Sequence, residues 1–168
     1  MRIRGPIRFI VAALAIAAFA GGASAQGGAE QTQSTAHYKI VLAIGPVTTM
    51  LMPGQESGAK EGEVMVHMPG MPMAMGTTDQ GKPVNHHLEV HMYDKATGTV
   101  VTKIMLTNQA TGESRALASV VAMYDVKEGR KDLHFGSNLF LPDGKYTVRV
   151  VVGGETVVFK GVDVTGQK

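Results

Sequence analysis

The sequence predicts an all-β fold, and three observations support that prediction. Apolar residues recur with period two over several short segments, helical spacing is hard to find, and turn signals separate the segments. The 21 glycines suit a protein with many turns. A length of 168 residues, with 44% hydrophobic and 18% charged residues, is typical of one globular domain and excludes a disordered chain.

The first strand is predicted near His37, where Tyr38, Ile40, Leu42 and Ile44 alternate with their neighbours. Further strands are predicted, in chain order, at 63–68, 85–93, 100–107, 115–124, 134–141, 145–152 and 156–164. Turn sequences at 94–98, 109–113, 142–144 and 153–154 join neighbouring strands. Seven to eight short strands without a helix indicate an immunoglobulin-like antiparallel β-sandwich over 37–168, and a barrel is the second choice.

The N-terminal segment has the order of a secretory signal peptide. Three arginines fall within the first eight residues, an apolar run covers 9–20, and an A-x-A sequence follows at 23–25. The apolar run is short for a membrane span, so we expect 1–25 to be removed rather than kept as an anchor. Residues 26–36 are small and polar and are predicted to be a flexible tail.

Composition limits the compartment and the partners. The chain has no cysteine, which excludes disulfides, thiol catalysis and zinc–thiolate sites and suits an oxidising compartment such as a bacterial periplasm. Loss of Arg2, Arg4 and Arg8 with the signal peptide changes the formal net charge from +2 to −1. We therefore expect no nucleic-acid partner.

A Met-rich loop is predicted at 68–75, where prolines and glycines separate Met68, Met71, Met73 and Met75. Thioethers are soft ligands that favour Cu(I), and a chain without cysteine has no other soft donor. Exposed thioethers in an oxidising compartment also risk conversion to sulfoxides. The loop is therefore interpreted as a metal-handling segment, or alternatively as a hydrophobic surface for a partner.

The segment 85–92, NHHLEVHM, is the second unusual feature. As a strand it places His87, Glu89 and His91 on one face and the apolar residues between them on the other. At about 3.3 Å per residue, neighbours two apart can share an ion, whereas His87 and His91 lie roughly 13 Å apart. One ion can thus bind Glu89 with either histidine, and its other ligands must come from other strands.

Several short motifs occur in a fixed order in the second half of the chain. They are His-Leu-Glu at 87–89, an Asn-x-x-Thr-Gly turn at 108–112, the strand-ending Met123, His-aromatic-Gly-x-Asn at 134–138 and Gly-x-Tyr at 144–146. This series resembles the periplasmic ferrous-iron-transport accessory family, whose members are immunoglobulin-like proteins encoded beside high-affinity iron permeases. The resemblance covers roughly residues 84–164.

The resemblance implies a copper site formed by His87, Glu89, Met123 and His134. It also implies a second position nearby for a divalent ion such as Fe(II), often close to a homodimer interface.

The chain departs from the family pattern in two places, because Phe135 replaces the usual tyrosine and no histidine follows His134. The further ligand is open between His91, His67 and a methionine of the loop.

These observations predict a periplasmic protein that sequesters or delivers copper, as Cu(I) or Cu(II), and that assists high-affinity iron uptake. Expected partners are the metal ion, an inner-membrane metal permease and a second copy of the chain. The alternative is a metal-independent interaction module that uses the Met-rich loop. An enzyme is not predicted, because no nucleophile elbow, catalytic triad or phosphate-binding loop can be argued from the sequence.

The position of the A-x-A site predicts that the secreted protein begins at Gln26 or within a residue or two of it. Intact-mass measurement of the protein from a periplasmic extract tests this expectation. Recovery of a chain that retains Met1 from the membrane fraction would contradict it.

Overall fold

A computed structural model describes residues 29–52, 54–55, 58–59, 64–66, 77–93, 101–118 and 120–166. The predicted signal peptide at 1–25, His67 and the Met-rich loop at 68–75 lie outside these residues. Within the described ranges, no helix is long and apolar enough to cross a membrane.

The described residues form thirteen strands and one short 3-10 helix, which confirms the all-β prediction. Eight of the described strands have five or more residues, and seven of these correspond to predicted strands, whereas β1 was not predicted. The strands are β1 Ala29–Ser34, β2 Lys39–Gly45, β3 Met50–Leu51, β4 Val64–Val66, β5 Thr78–Asp79, β6 Lys82–Pro83, β7 His86–Tyr93, β8 Val101–Asn108, β9 Ser114–Ala116, β10 Val121–Asp125, β11 His134–Leu139, β12 Gly144–Val152 and β13 Glu155–Val164; the 3-10 helix is Gly129–Asp132.

The strands form two main sheets and a small hairpin. The larger sheet has the order β1-β2-β7-β11-β10-β4-β3, and the smaller one has the order β13-β12-β8-β9. All described pairs in these sheets are antiparallel except β3 with β4. The hairpin pairs β5 with β6.

One apolar core joins the two sheets. Leu42 and Val90 from the larger sheet belong to the same buried cluster as Leu106, Val148 and Phe159 from the smaller sheet. Alternation on β2 gives the reason, since every second side chain of this strand is fully or almost fully buried and the others are half-buried or exposed. The sheets thus pack face to face in the manner of a sandwich.

The N-terminal segment differs from the sequence prediction. The flexible tail predicted for 26–36 is wrong for Ala29–Ser34, which form β1 and pair with β2 from Ala29 opposite Ile44 to Ser34 opposite Lys39. Main-chain hydrogen bonds to β2 hold this polar strand, and the Gln31 side chain also donates to the carbonyl of Lys160 on β13. Backbone pairing requires no apolar side chains, so hydropathy alone does not reveal such a strand.

The strand predicted at 115–124 is instead two strands in different sheets. β9 pairs with β8 in the smaller sheet, whereas β10 pairs with β11 and β4 in the larger sheet. The chain between them passes from one sheet to the other, and the amide of Leu117 donates to the carbonyl of Ile104 on the way. This crossing brings Met123 into the larger sheet, next to β11.

Gly136 is a position at which only glycine fits. It lies on β11 opposite Glu89 of β7, and a Cβ atom added there would overlap the carbonyl oxygen of Leu88. The two backbones therefore approach closely at the centre of the larger sheet, where β7 and β11 pair over six residues.

We expect Gly136→Ala to destabilise the protein by about 3 kcal/mol or more, because the new methyl group meets main-chain atoms that cannot turn away. Urea denaturation measures this change. Gly45→Ala is the matched control, since a Cβ at Gly45 meets no atom within 4 Å, and we expect it to change stability by at most about 1 kcal/mol. Equal effects of the two substitutions would show that the β7–β11 pairing is wrong.

Candidate metal centre

The histidines of β7 are divided between the two faces of the larger sheet. Leu88 and Val90 belong to the inter-sheet core, so His87, Glu89 and His91 lie on the outer face. This agrees with the alternation that the sequence predicts. His87 is nevertheless only 1% exposed, whereas the side chains of Glu89 and His91 are 28% and 14% exposed.

Strand register brings the other two predicted ligands to the same face. His91 on β7 lies directly opposite His134 on β11, and His134 lies directly opposite Met123 on β10. Directly opposed residues of antiparallel strands have Cβ atoms about 4.5–5.5 Å apart. A row of two imidazoles and a thioether therefore crosses three strands. His134 and Met123 are both buried.

Three of the predicted ligands form one compact donor group. His87, Glu89 and His134 each offer a ligand atom, and these atoms all lie within 4.8 Å of one another. The Oε1 atom of Glu89 is 3.5 Å from the Nε2 atom of His87. Two imidazoles and one carboxylate from two strands thus surround a common point, with Met123 on the third strand beside His134.

Asn138 fixes the protonation of the His87 ring. The Asn138 Nδ2 group donates to the Thr48 carbonyl at 2.8 Å, so its Oδ1 atom is the one that faces His87. That oxygen lies 2.8 Å from the Nδ1 atom of His87. Because an amide oxygen only accepts, Nδ1 carries the proton and donates, and Nε2 keeps its lone pair.

Asp132 fixes the His134 ring in the same way. The Nδ1 atom of His134 lies 2.9 Å from the Asp132 carbonyl oxygen and 3.2 Å from its Oδ2 atom. Both oxygens are acceptors, so Nδ1 carries a proton and donates it, and in the neutral ring Nε2 carries the lone pair. A hydrogen bond from the remote ring nitrogen to a carboxylate or carbonyl is the usual support of a metal-bound histidine.

Among the described residues, the two lone-pair nitrogens have no hydrogen-bond partner. The Nε2 atoms of His87 and His134 are both buried, and the Oε1 atom of Glu89 approaches the first of them at 3.5 Å. An unsatisfied buried polar atom costs about 1–3 kcal/mol, so such atoms are rare without a reason. A metal ion bound to both nitrogens would remove this cost. The residues that are present therefore fit an ion.

His86 has a similar local arrangement on the other side of the sheet. Its Nδ1 atom lies 2.9 Å from the Asn85 side-chain oxygen, and its Nε2 atom is also buried. It belongs to neither donor group found among the described residues. His86 is therefore a natural comparison for His87 rather than a ligand of the same ion.

Glu89 lies between His87 and His91. Its second oxygen, Oε2, is 3.1 Å from the Nε2 atom of His91, whose Nδ1 atom is 3.3 Å from Asp132. Burial lowers the pKa of His91, but the hydrogen bond to Glu89 and the charges of Glu89 and Asp132 outweigh it and leave this pKa above its usual value. Burial raises the pKa of Glu89, and the neighbouring histidines reverse this effect and lower it.

The pKa of His87 is shifted in the opposite direction to that of His91. Burial lowers its pKa, and this effect exceeds the attraction of Glu89. The neutral form of His87 is thus favoured near neutral pH, which is the form that binds a metal ion. Burial thus favours the neutral form of His87, whereas contacts with two carboxylates favour the protonated form of His91.

A second donor group of His91, Asp132 and His134 overlaps the first, with ligand atoms also within 4.8 Å of one another. Of the additional predicted ligands, His91 belongs to this second donor group. His67 and the methionines of the loop lie outside the described residues.

Asp132 and Asn138 are the site residues that sequence reasoning missed. Asn138 lies four residues from His134 on β11, and this even spacing could have placed it on the same face, whereas Asp132 lies in the 3-10 helix before the strand.

We expect Glu89→Gln to lower the pKa of His91, because the substitution removes the carboxylate that holds the imidazolium proton while keeping the shape of the side chain. NMR titration of the histidine ring protons of the metal-free protein measures this change. Glu113→Gln removes the same charge from an exposed turn and should leave His91 unchanged. A His91 titration that is the same in both variants would contradict the contact between Glu89 and His91.

No family model, no curated protein and no solved structure matches this chain. Membership of the iron-transport accessory family therefore stays a prediction from the motifs of 84–164. The function of the site has to be inferred from its donor atoms, their burial and their hydrogen bonds.

Proposed function

We propose that this protein binds a copper ion at His87, Glu89 and His134, with Met123 as a further ligand, and that it sequesters or delivers that ion. The observation that carries the proposal is the pair of buried Nε2 atoms next to the Glu89 carboxylate, neither of which has a hydrogen bond among the described residues. Both rings are held with their lone pairs free by hydrogen bonds from the opposite nitrogen.

The mixture of donors favours copper over other ions. Imidazole and carboxylate suit Cu(II) and Fe(II), whereas a thioether suits Cu(I). For a given set of nitrogen and oxygen donors, Cu(II) also binds more tightly than the other common divalent ions of the first transition row. A site with both donor types holds copper in either oxidation state, which suits a protein that accepts and releases this metal as cargo.

The proposed role extends the resemblance to the iron-transport accessory family. We place the protein in the periplasm on the basis of the predicted signal peptide, and we propose an inner-membrane permease as its partner in iron uptake. The partly exposed Glu89 is the side of the donor group from which an ion can reach the buried histidines. Fe(II) is the competing cargo, because the carboxylate is a donor that it accepts.

We expect His87→Ala and His134→Ala each to weaken Cu(II) binding by more than about 100-fold, since loss of a ligand should exceed the effect of losing an outer hydrogen bond. Competition against a chromophoric Cu(II) chelator measures the affinities. His86→Ala is the matched control, because this histidine is equally buried and adjacent in sequence but lies on the opposite face. We expect its effect to stay below about tenfold.

Thermal unfolding of each metal-free variant separates loss of binding from loss of the fold. Equal effects of His86→Ala and His87→Ala on copper affinity in folded proteins would contradict the assigned face of β7. Absence of binding of both Cu(I) and Cu(II) by the unmodified protein would contradict the proposed function itself.

A further inference from the structure

The segment that follows β2 continues from the edge of the donor group. β2 ends at Gly45, which lies opposite His87, and the chain then runs through 46–49 to β3 at Met50–Leu51. We call residues 46–52 the strap. A hydrogen bond from the amide of Met52 to the side-chain oxygen of Gln55 lies at its far end.

Asn138 connects the strap to His87. Its side chain donates to the Thr48 carbonyl at 2.8 Å and accepts from the Thr48 amide at 3.3 Å. The same oxygen accepts the proton of His87 Nδ1 at 2.8 Å. One amide group therefore sets both the position of the strap and the orientation of a proposed ligand, so the strap is part of the framework of the site.

The strap contains a methionine, Met50, on the side of the donor group where Met123 lies. Met50 is half-buried and packs against the small cluster of Val121 and Met123 on β10. This cluster is separate from the inter-sheet core. Met123 is fully buried and lies opposite His134. Met50 and Met123 thus belong to one packed cluster, and Met123 lies opposite an imidazole whose Nε2 atom has no hydrogen bond among the described residues.

We propose that Met50 is a second thioether ligand and that Met50 and Met123 together make the site selective for Cu(I). This inference rests on the proposed function. Methionine has three rotatable side-chain bonds, so a packed thioether can turn toward an ion without movement of the backbone. Two soft sulfur donors with imidazole favour Cu(I) over Cu(II), Fe(II) and Zn(II). Packing alone would need only an apolar side chain of similar volume.

Met50→Leu tests the inference because it keeps the apolar volume and removes the sulfur. Met105→Leu is the matched control, since Met105 is also half-buried but lies on β8 of the smaller sheet. Cu(I) affinity is measured by anaerobic competition with a chromophoric chelator. We expect Met50→Leu to weaken Cu(I) binding by about tenfold or more and Cu(II) binding by much less, and Met105→Leu to change neither.

X-ray absorption at the copper edge gives a second readout. We expect two sulfur scatterers in the Cu(I)-loaded protein and one in Met50→Leu. If the protein binds copper but Met50→Leu behaves like Met105→Leu in affinity and sulfur count, the role of Met50 is overturned and the proposed function stands. If the unmodified protein binds copper in neither oxidation state, both are overturned.

Discussion

The pairing of β7 with β11 is the constraint on which both the core and the donor group depend. β7 contributes Leu88 and Val90 to the inter-sheet core and presents His87 and Glu89 on its other face. Because side chains alternate, a slip of one residue would move the histidine and the carboxylate into the apolar core. The close backbone contact at Gly136 lies at the centre of this pairing. The register of the β7–β11 pair therefore determines both the stability of the fold and the positions of the donor atoms.

The outer face of the larger sheet is unusual at His87 and His134, which are buried and yet incompletely hydrogen-bonded. Asn138 and Asp132 each satisfy one nitrogen of a histidine, and the other nitrogen has no hydrogen bond among the described residues. A core selected for stability alone would contain apolar residues here, since each orphaned nitrogen costs about 1–3 kcal/mol. The hydrogen bonds select a single tautomer of each neutral ring, and such pre-organisation is what an ion-binding site requires.

Particular residues show what the sequence could and could not reveal. The face shared by His87, Glu89 and His91 follows from period two within one strand, which is local information. The alignment of His134 with Met123 depends on which strands are neighbours, and the motif resemblance rather than periodicity suggested it. The roles of Asn138 and Asp132 were missed because ring protonation depends on neighbouring acceptors. β1 was missed because polar residues form a strand when a free sheet edge is available.

The separation of the donors along the chain has a consequence for folding order. β1 and β2 form a local hairpin, and so do β12 and β13, whereas the His87 side chain and its Asn138 support are 51 residues apart. Local contacts form early because they close short loops, and long-range pairs close later. The donor group is thus complete only after most of the chain has been organised. Under the proposed function, an ion that binds this group would stabilise a fold that is already formed, by mass action, and would not direct the folding search.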